Sequence, residues 1–112
     1  MTLDDLIEAL EELPQDDIIR CGELVSWRGV YAELSLEPGG ERVVSDVLDE
    51  ARRVLGGETR QGWKGGDFTY NGWTPVWADL EGDYTSNALI GIVPHEDGNG
   101  WRLNYVNIHE YK

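Results

Sequence analysis

Cysteine, long apolar runs and positive charge are what this chain has least of. Cys21 is its single cysteine, so no internal disulfide forms and a reducing compartment is expected. No apolar run approaches the roughly 20 residues that span a bilayer. The opening MTLDDLIEAL carries acids where a signal peptide needs bases. These absences read as a cytoplasmic protein with no membrane role. Nine Lys and Arg stand against 22 Asp and Glu, for a net charge of −13. That balance argues against direct nucleic-acid binding and against anionic membrane surfaces. Histidine is scarce as well: His95 and His109 are the two. Neither has zinc-ligand spacing, and with Cys21 they form no recognisable nucleophile–base set. No metal, cofactor or catalytic residue is expected, and the reading leans towards a protein that is not an enzyme.

What is present fits one α+β domain over residues 1–112, two helices packed on a mainly antiparallel sheet. Leu3, Leu6, Ile7, Leu10 and Leu13 recur at helical spacing, with acids between them, so a helix is expected over 3–13. Thr2 and Asp5 make a weak capping box, and Pro14 ends the helix. Two strands follow, in DIIRCGELVSW and VYAELSLEP. A second helix is expected from Asp46 to Leu55, with Ser45 as N-cap and Gly56 as its stop. The remainder reads as an antiparallel meander, with strands near 58–63, 67–71, 73–80, 87–94 and 101–109. Asn71-Gly72 is a hairpin signal and HEDGNG a second turn. Asp79, Glu81 and Asp83 imitate the start of a calcium loop. Gly82 is misplaced for one, however, and Ile90 stands where the closing glutamate belongs.

The stretch GWKGGDFTYNGW, residues 62–73, crowds glycines, tryptophans and a lysine together. It is not a P-loop, because no Ser or Thr follows a Gly-Lys pair. Its surroundings are nonetheless basic. Between Ala51 and Gly66 four bases meet one acid, Glu58, a local charge of +3 in an acidic chain. Glycines admit close backbone approach, tryptophan faces stack on bases, and cations pair with phosphate. A nucleotide-like ligand is therefore expected on Arg28, Arg60, Trp63, Lys64, Gly65, Gly66 and Trp73. Turn glycines and core tryptophans are the plainer reading of the same residues.

SWRGVYAELSLEP, DVLDEARRVLGG and GWKGGDFTYNGWTPVW, with the opening MTLDDLIEALE, resemble blocks shared by a group of small proteins of actinobacteria and their phages. The shared patterns are RGxY, ARxxLGG, KGGxxT and TxVW, and the resemblance covers about the first four-fifths of the chain. It implies a small accessory protein, phage-borne and acting against host defence in the host cytoplasm. It carries no catalytic residue set.

A second function competes with the nucleotide reading. Asp4, Asp5, Glu8 and Glu12 lie on the expected exposed face of the first helix. They suit an acidic inhibitor of a basic host protein, a nuclease or DNA-binding protein, and in the extreme a DNA mimic. A solvated helix face is the plain alternative. Ligand identity and homo-oligomerisation stay open.

Overall fold

The computed structural model describes residues 1–27, 30–62, 65–79 and 87–107. Its elements run α1 (Leu3–Glu11), β1 (Ile18–Arg20), β2 (Leu24–Ser26), β3 (Leu34–Leu36) and β4 (Arg42–Val43). Then come α2 (Val44–Leu55), β5 (Arg60–Gln61), β6 (Asp67–Phe68), β7 (Val76–Ala78), β8 (Asn87–Pro94) and β9 (Trp101–Asn107). The fold is α+β, as expected. Seven strands form one sheet in the order β2-β3-β7-β8-β9-β1-β4, and β5 and β6 make a separate hairpin. Most pairings are antiparallel, but β1–β9 and β3–β7 are parallel. A plain meander is thus replaced by a mixed sheet.

The core is where the periodicity puts it. Leu3, Leu6 and Leu10 of α1 and Val44, Val47, Ala51 and Val54 of α2 are fully buried. They pack with Ile19, Leu24, Leu34, Leu36, Val76, Leu89 and Leu103 of the sheet in one apolar cluster. Each buried leucine contributes about 1.5–3 kcal/mol relative to exposure. Cys21 belongs to the same cluster, and burial pushes its thiol up to about 12.

Three local expectations change. DIIRCGELVSW is two strands, because the chain breaks at Cys21–Glu23 and β2 takes a place in the sheet distant from β1. Ser45 is not the N-cap of α2. The helix begins at Val44, whose N–H donates to the Asp17 carbonyl while that of Ser45 donates to Gln15. Backbone carbonyls therefore satisfy the donors a side-chain cap would serve. Asn71-Gly72 does not join a hairpin, because β6 pairs with β5 whereas β7 pairs with β3 and β8. The turn is spent elsewhere: Leu3 N–H donates to Thr74 O and Asp4 N–H to Gly72 O. It receives orphan donors of the α1 N-terminus. The HEDGNG turn does join β8 to β9, closed by His95 N–H on Gly100 O. Asp79 lies among the described residues and Glu81 and Asp83 outside them. No described helix is long and apolar enough to cross a membrane.

Candidate functional site

α1 starts on a complete capping box. Thr2 Oγ1 accepts from Asp5 N–H at 3.2 Å, and Asp5 Oδ2 accepts from Thr2 N–H at 3.0 Å. The Thr2 N–H bond, with a second bond from the Thr2 side chain, holds the Asp5 carboxyl below its usual range. Asp5 is therefore a capping group first. Asp4, Glu8 and Glu12 are exposed and recur every fourth residue, so they form one stripe along the helix. No ion pair engages them among the described residues, whereas Glu11 is held by Arg52 at 2.8 Å. Like charges four apart in a helix repel, at about 0.2–0.5 kcal/mol per pair.

Trp73 stands at the head of this stripe. Its turn is fixed by Asn71 Oδ1, which accepts from Trp73 N–H at 2.9 Å, and by Thr74 N–H on Asn71 O at 3.1 Å. Neighbouring Gly72 is buried against the Asp4 carboxylate. Trp73 itself is 85% exposed, the most exposed of the large apolar side chains described. The Asp4 carboxylate against Gly72 puts an acid, not a base, beside this turn.

The basic patch expected around residues 51–66 is largely neutralised by its neighbours. Arg60 donates from Nε to Leu24 O at 2.7 Å, from Nη1 to Glu58 at 2.8 Å and from Nη2 to Glu50 at 3.0 Å. Burial works against its charge, but the hydrogen bonds and attraction of Glu58 and Glu50 outweigh this and raise its pKa. Glu50 is buried, and it also accepts from Arg42 Nη1 at 2.7 Å and from Leu24 N–H. This cluster staples α2 to β2, β4 and β5. Arg53 pairs with Glu58. Gly65 and Gly66 are exposed with φ of +93° and +82°, values natural to glycine alone. They shape the tip of the β5–β6 hairpin, where Gly62 packs beneath the Phe68 ring. Arg28, Trp63 and Lys64 lie outside the described residues. An open cleft of about 390 Å³ does lie here, lined by Val25, Ser26, Gln61, Gly62 and Gly65.

Trp27 and Trp77 stack at 4.3 Å between ring centroids, and Trp77 Nε1 donates to Glu33. They are partners of each other and of the sheet. Tyr70 is core, with its hydroxyl on Tyr31 O.

Comparison with protein-family models, curated proteins and solved structures gives no match. The site therefore stands on its own geometry. No group of three or more His, Cys, Asp or Glu able to hold a metal occurs among the described residues.

Sequence reasoning missed the pairing of Trp73 with α1. The two are brought together by backbone hydrogen bonds and the Thr2–Pro75 bridge, for which no sequence signal exists. It also missed a cleft between β1 and β9 that gathers Arg20, His95 and Arg102. Parallel pairing of segments 82 residues apart makes that cleft, with Ile19 opposite Trp101.

Proposed function

We propose that the chain is a non-enzymatic, acidic protein-binding module. The Asp4–Glu8–Glu12 stripe meets a basic partner surface, such as the nucleic-acid cleft of a nuclease or DNA-binding protein, and Trp73 anchors the contact. The observation that carries the reading is Trp73, 85% exposed in a turn whose Gly72 packs against the Asp4 carboxylate. Exposed tryptophans are the typical anchors of protein interfaces, and surrounding charge gives steering and register. The unpaired stripe supports it as well, because its repulsion is relieved by a cationic partner. Interference with a host defence is the biological setting that fits such a module.

The test places a photo-crosslinking amino acid at position 73 in cells of the host. A discrete basic protein is expected to crosslink, and Glu8→Lys with Glu12→Lys is expected to abolish it. Duplex DNA added to the isolated complex is expected to displace the module. Crosslinking at position 73 that is no more specific than at exposed Leu55, or that survives charge reversal, rejects the reading.

A second reading keeps the nucleotide-like ligand, and the 390 Å³ cleft beside Gly62 and Gly65 favours it. With Arg60 committed to Glu50 and Glu58, phosphate contacts in this reading fall to Arg28 and Lys64. Calorimetry against cyclic di- and trinucleotides decides. Binding tighter than about 100 μM, roughly −5.5 kcal/mol, supports it, and none tighter removes it.

A further inference from the structure

We propose a binding site for a small organic oxyanion, a phosphate ester or carboxylate, in the cleft where β1 meets β9 and the β8–β9 turn. The cleft has a volume of about 430 Å³, ample for a compact ligand. Its walls carry two guanidinium groups, Arg20 and Arg102, and the His95 imidazole against one carboxylate, Glu96. Pro38 adds apolar surface, and Leu103 and Tyr105, which pack with the core, also line the cleft.

The two arginines are not neighbours by accident of rotamer. Arg20 and Arg102 are register partners in the parallel β1–β9 pair, so their side chains leave the same face of the sheet. Like charges placed directly opposite on adjacent strands are destabilising, and the carboxylates that offset this pair, Glu41, Asp97 and Glu96, are all exposed. Arg20 meets Glu41 and Asp97 only at 3.5 Å each, with those acids largely exposed. Its Nε is buried and without a hydrogen-bond partner among the described residues. A buried donor left unpaired is costly and calls for an explanation. Arg102 is held more firmly, through Nε on Glu96 at 2.6 Å and Nη1 on Leu103 O at 3.2 Å. Its Nη2 has no partner among the described residues. Glu96 is exposed. Guanidinium forks match the oxygens of a phosphate or carboxylate, and an oxyanion bridging these two arginines would remove their repulsion. His95 Nδ1 is occupied by Asp97 at 2.9 Å, which leaves Nε2 as a further polar contact for the ligand.

This site is separate from Trp73 and α1 and from the β5–β6 hairpin, and it stands or falls independently of both readings above. The experiment titrates phenyl phosphate, benzoate, inorganic phosphate and phenol into 15N-labelled protein and reads the arginine Nε–H and backbone signals. Phenyl phosphate, benzoate or both are expected to shift Arg20 and Arg102 saturably, and which of them does identifies the oxyanion. Arg20→Gln and Arg102→Gln are each expected to weaken binding at least about tenfold, with backbone spectra showing both variants folded. Loss of the fold in Arg20→Gln leaves the decision to the more exposed Arg102→Gln. No saturable shift up to about 10 mM, a Kd equivalent to roughly −2.7 kcal/mol, overturns the proposal. So does an equal response to phenol, or unchanged affinity in Arg102→Gln. Inorganic phosphate binding as tightly as phenyl phosphate overturns the role of the apolar wall.

Discussion

Trp73 and Trp77 sit four residues apart and are expected to answer mutation in opposite ways. Trp73→Ala removes a ring that touches little of its own protein. It is expected to change stability by less than about 0.5 kcal/mol while weakening partner binding by about 2 kcal/mol or more. Trp77 stacks on Trp27 and donates to Glu33, so Trp77→Ala is expected to cost about 3 kcal/mol. Denaturant midpoints of the two variants check both statements. Glu50 poses the complementary case. Its carboxylate is buried and holds Arg42 and Arg60 together. Glu50→Gln keeps the shape but leaves two guanidiniums short of a counter-charge, and a loss of about 3–5 kcal/mol is expected in the same melts. Cys21 is fully buried with its thiol pushed up to about 12. A thiol reagent is therefore expected to label it only as fast as the protein opens, which a comparison of native and denatured labelling rates reads directly.

At the scale of elements, both helices and the β8–β9 hairpin were legible in the sequence because local rules govern them. The α1 stripe, its Thr2–Asp5 box and the strand at 87–94 follow from spacing and capping alone. What was illegible is where local signals yield to distant partners. Ser45 looks like a cap, yet Gln15 and Asp17 carbonyls do its work. Asn71-Gly72 looks like a hairpin turn, yet it docks the head of α1. The candidate site suffers most from this. The positive charge of residues 51–66 is visible in the sequence, but its further cancellation by Glu11 and Glu50, which pair with Arg52 and Arg60, needs three dimensions. The β8–β9 turn offers a test of element geometry. Gly100 has φ of +76°, and a Cβ there would collide with the Ile18 carbonyl on β1. Gly100→Ala is expected to cost at least about 1–3 kcal/mol from backbone strain, with loss of amide protection concentrated on β1 and β9. Protection lost uniformly would mean that this turn does not govern that pairing.

For the whole molecule, charge sets the dependence on pH and salt. Among the described residues, four carboxyls lie below their usual values. Asp5 is held chiefly by the Thr2 N–H, Glu58 by Arg60, Glu96 by its own backbone N–H and Asp97 by that of Asn99. A depressed folded-state pKa contributes stability that is present above the ordinary carboxylate value and lost as pH falls through the folded one. Acidification below about pH 4 is therefore expected to destabilise the fold. Between neutrality and the pI of about 4.3 the opposite force operates, because self-repulsion fades as net charge shrinks. At low salt, thermal melts are expected to peak near about pH 5–5.5 and fall on both sides. Added salt should raise the midpoint more at neutral pH than at the peak, and a midpoint rising steadily to neutrality would contradict this balance. The parallel pairing of β1 with β9 has a consequence in the living cell. β1 leaves the ribosome 82 residues ahead of the strand that covers it, about 4–16 s at ordinary elongation speeds. During that interval Ile18 and Ile19 have only β4 beside them, and the seven-strand sheet stays incomplete until β9 has emerged. Nascent chains stalled before Trp101 are therefore expected to stay protease-sensitive and to be clients of ribosome-associated chaperones. Those released beyond Asn107 should turn resistant within a narrow range of lengths.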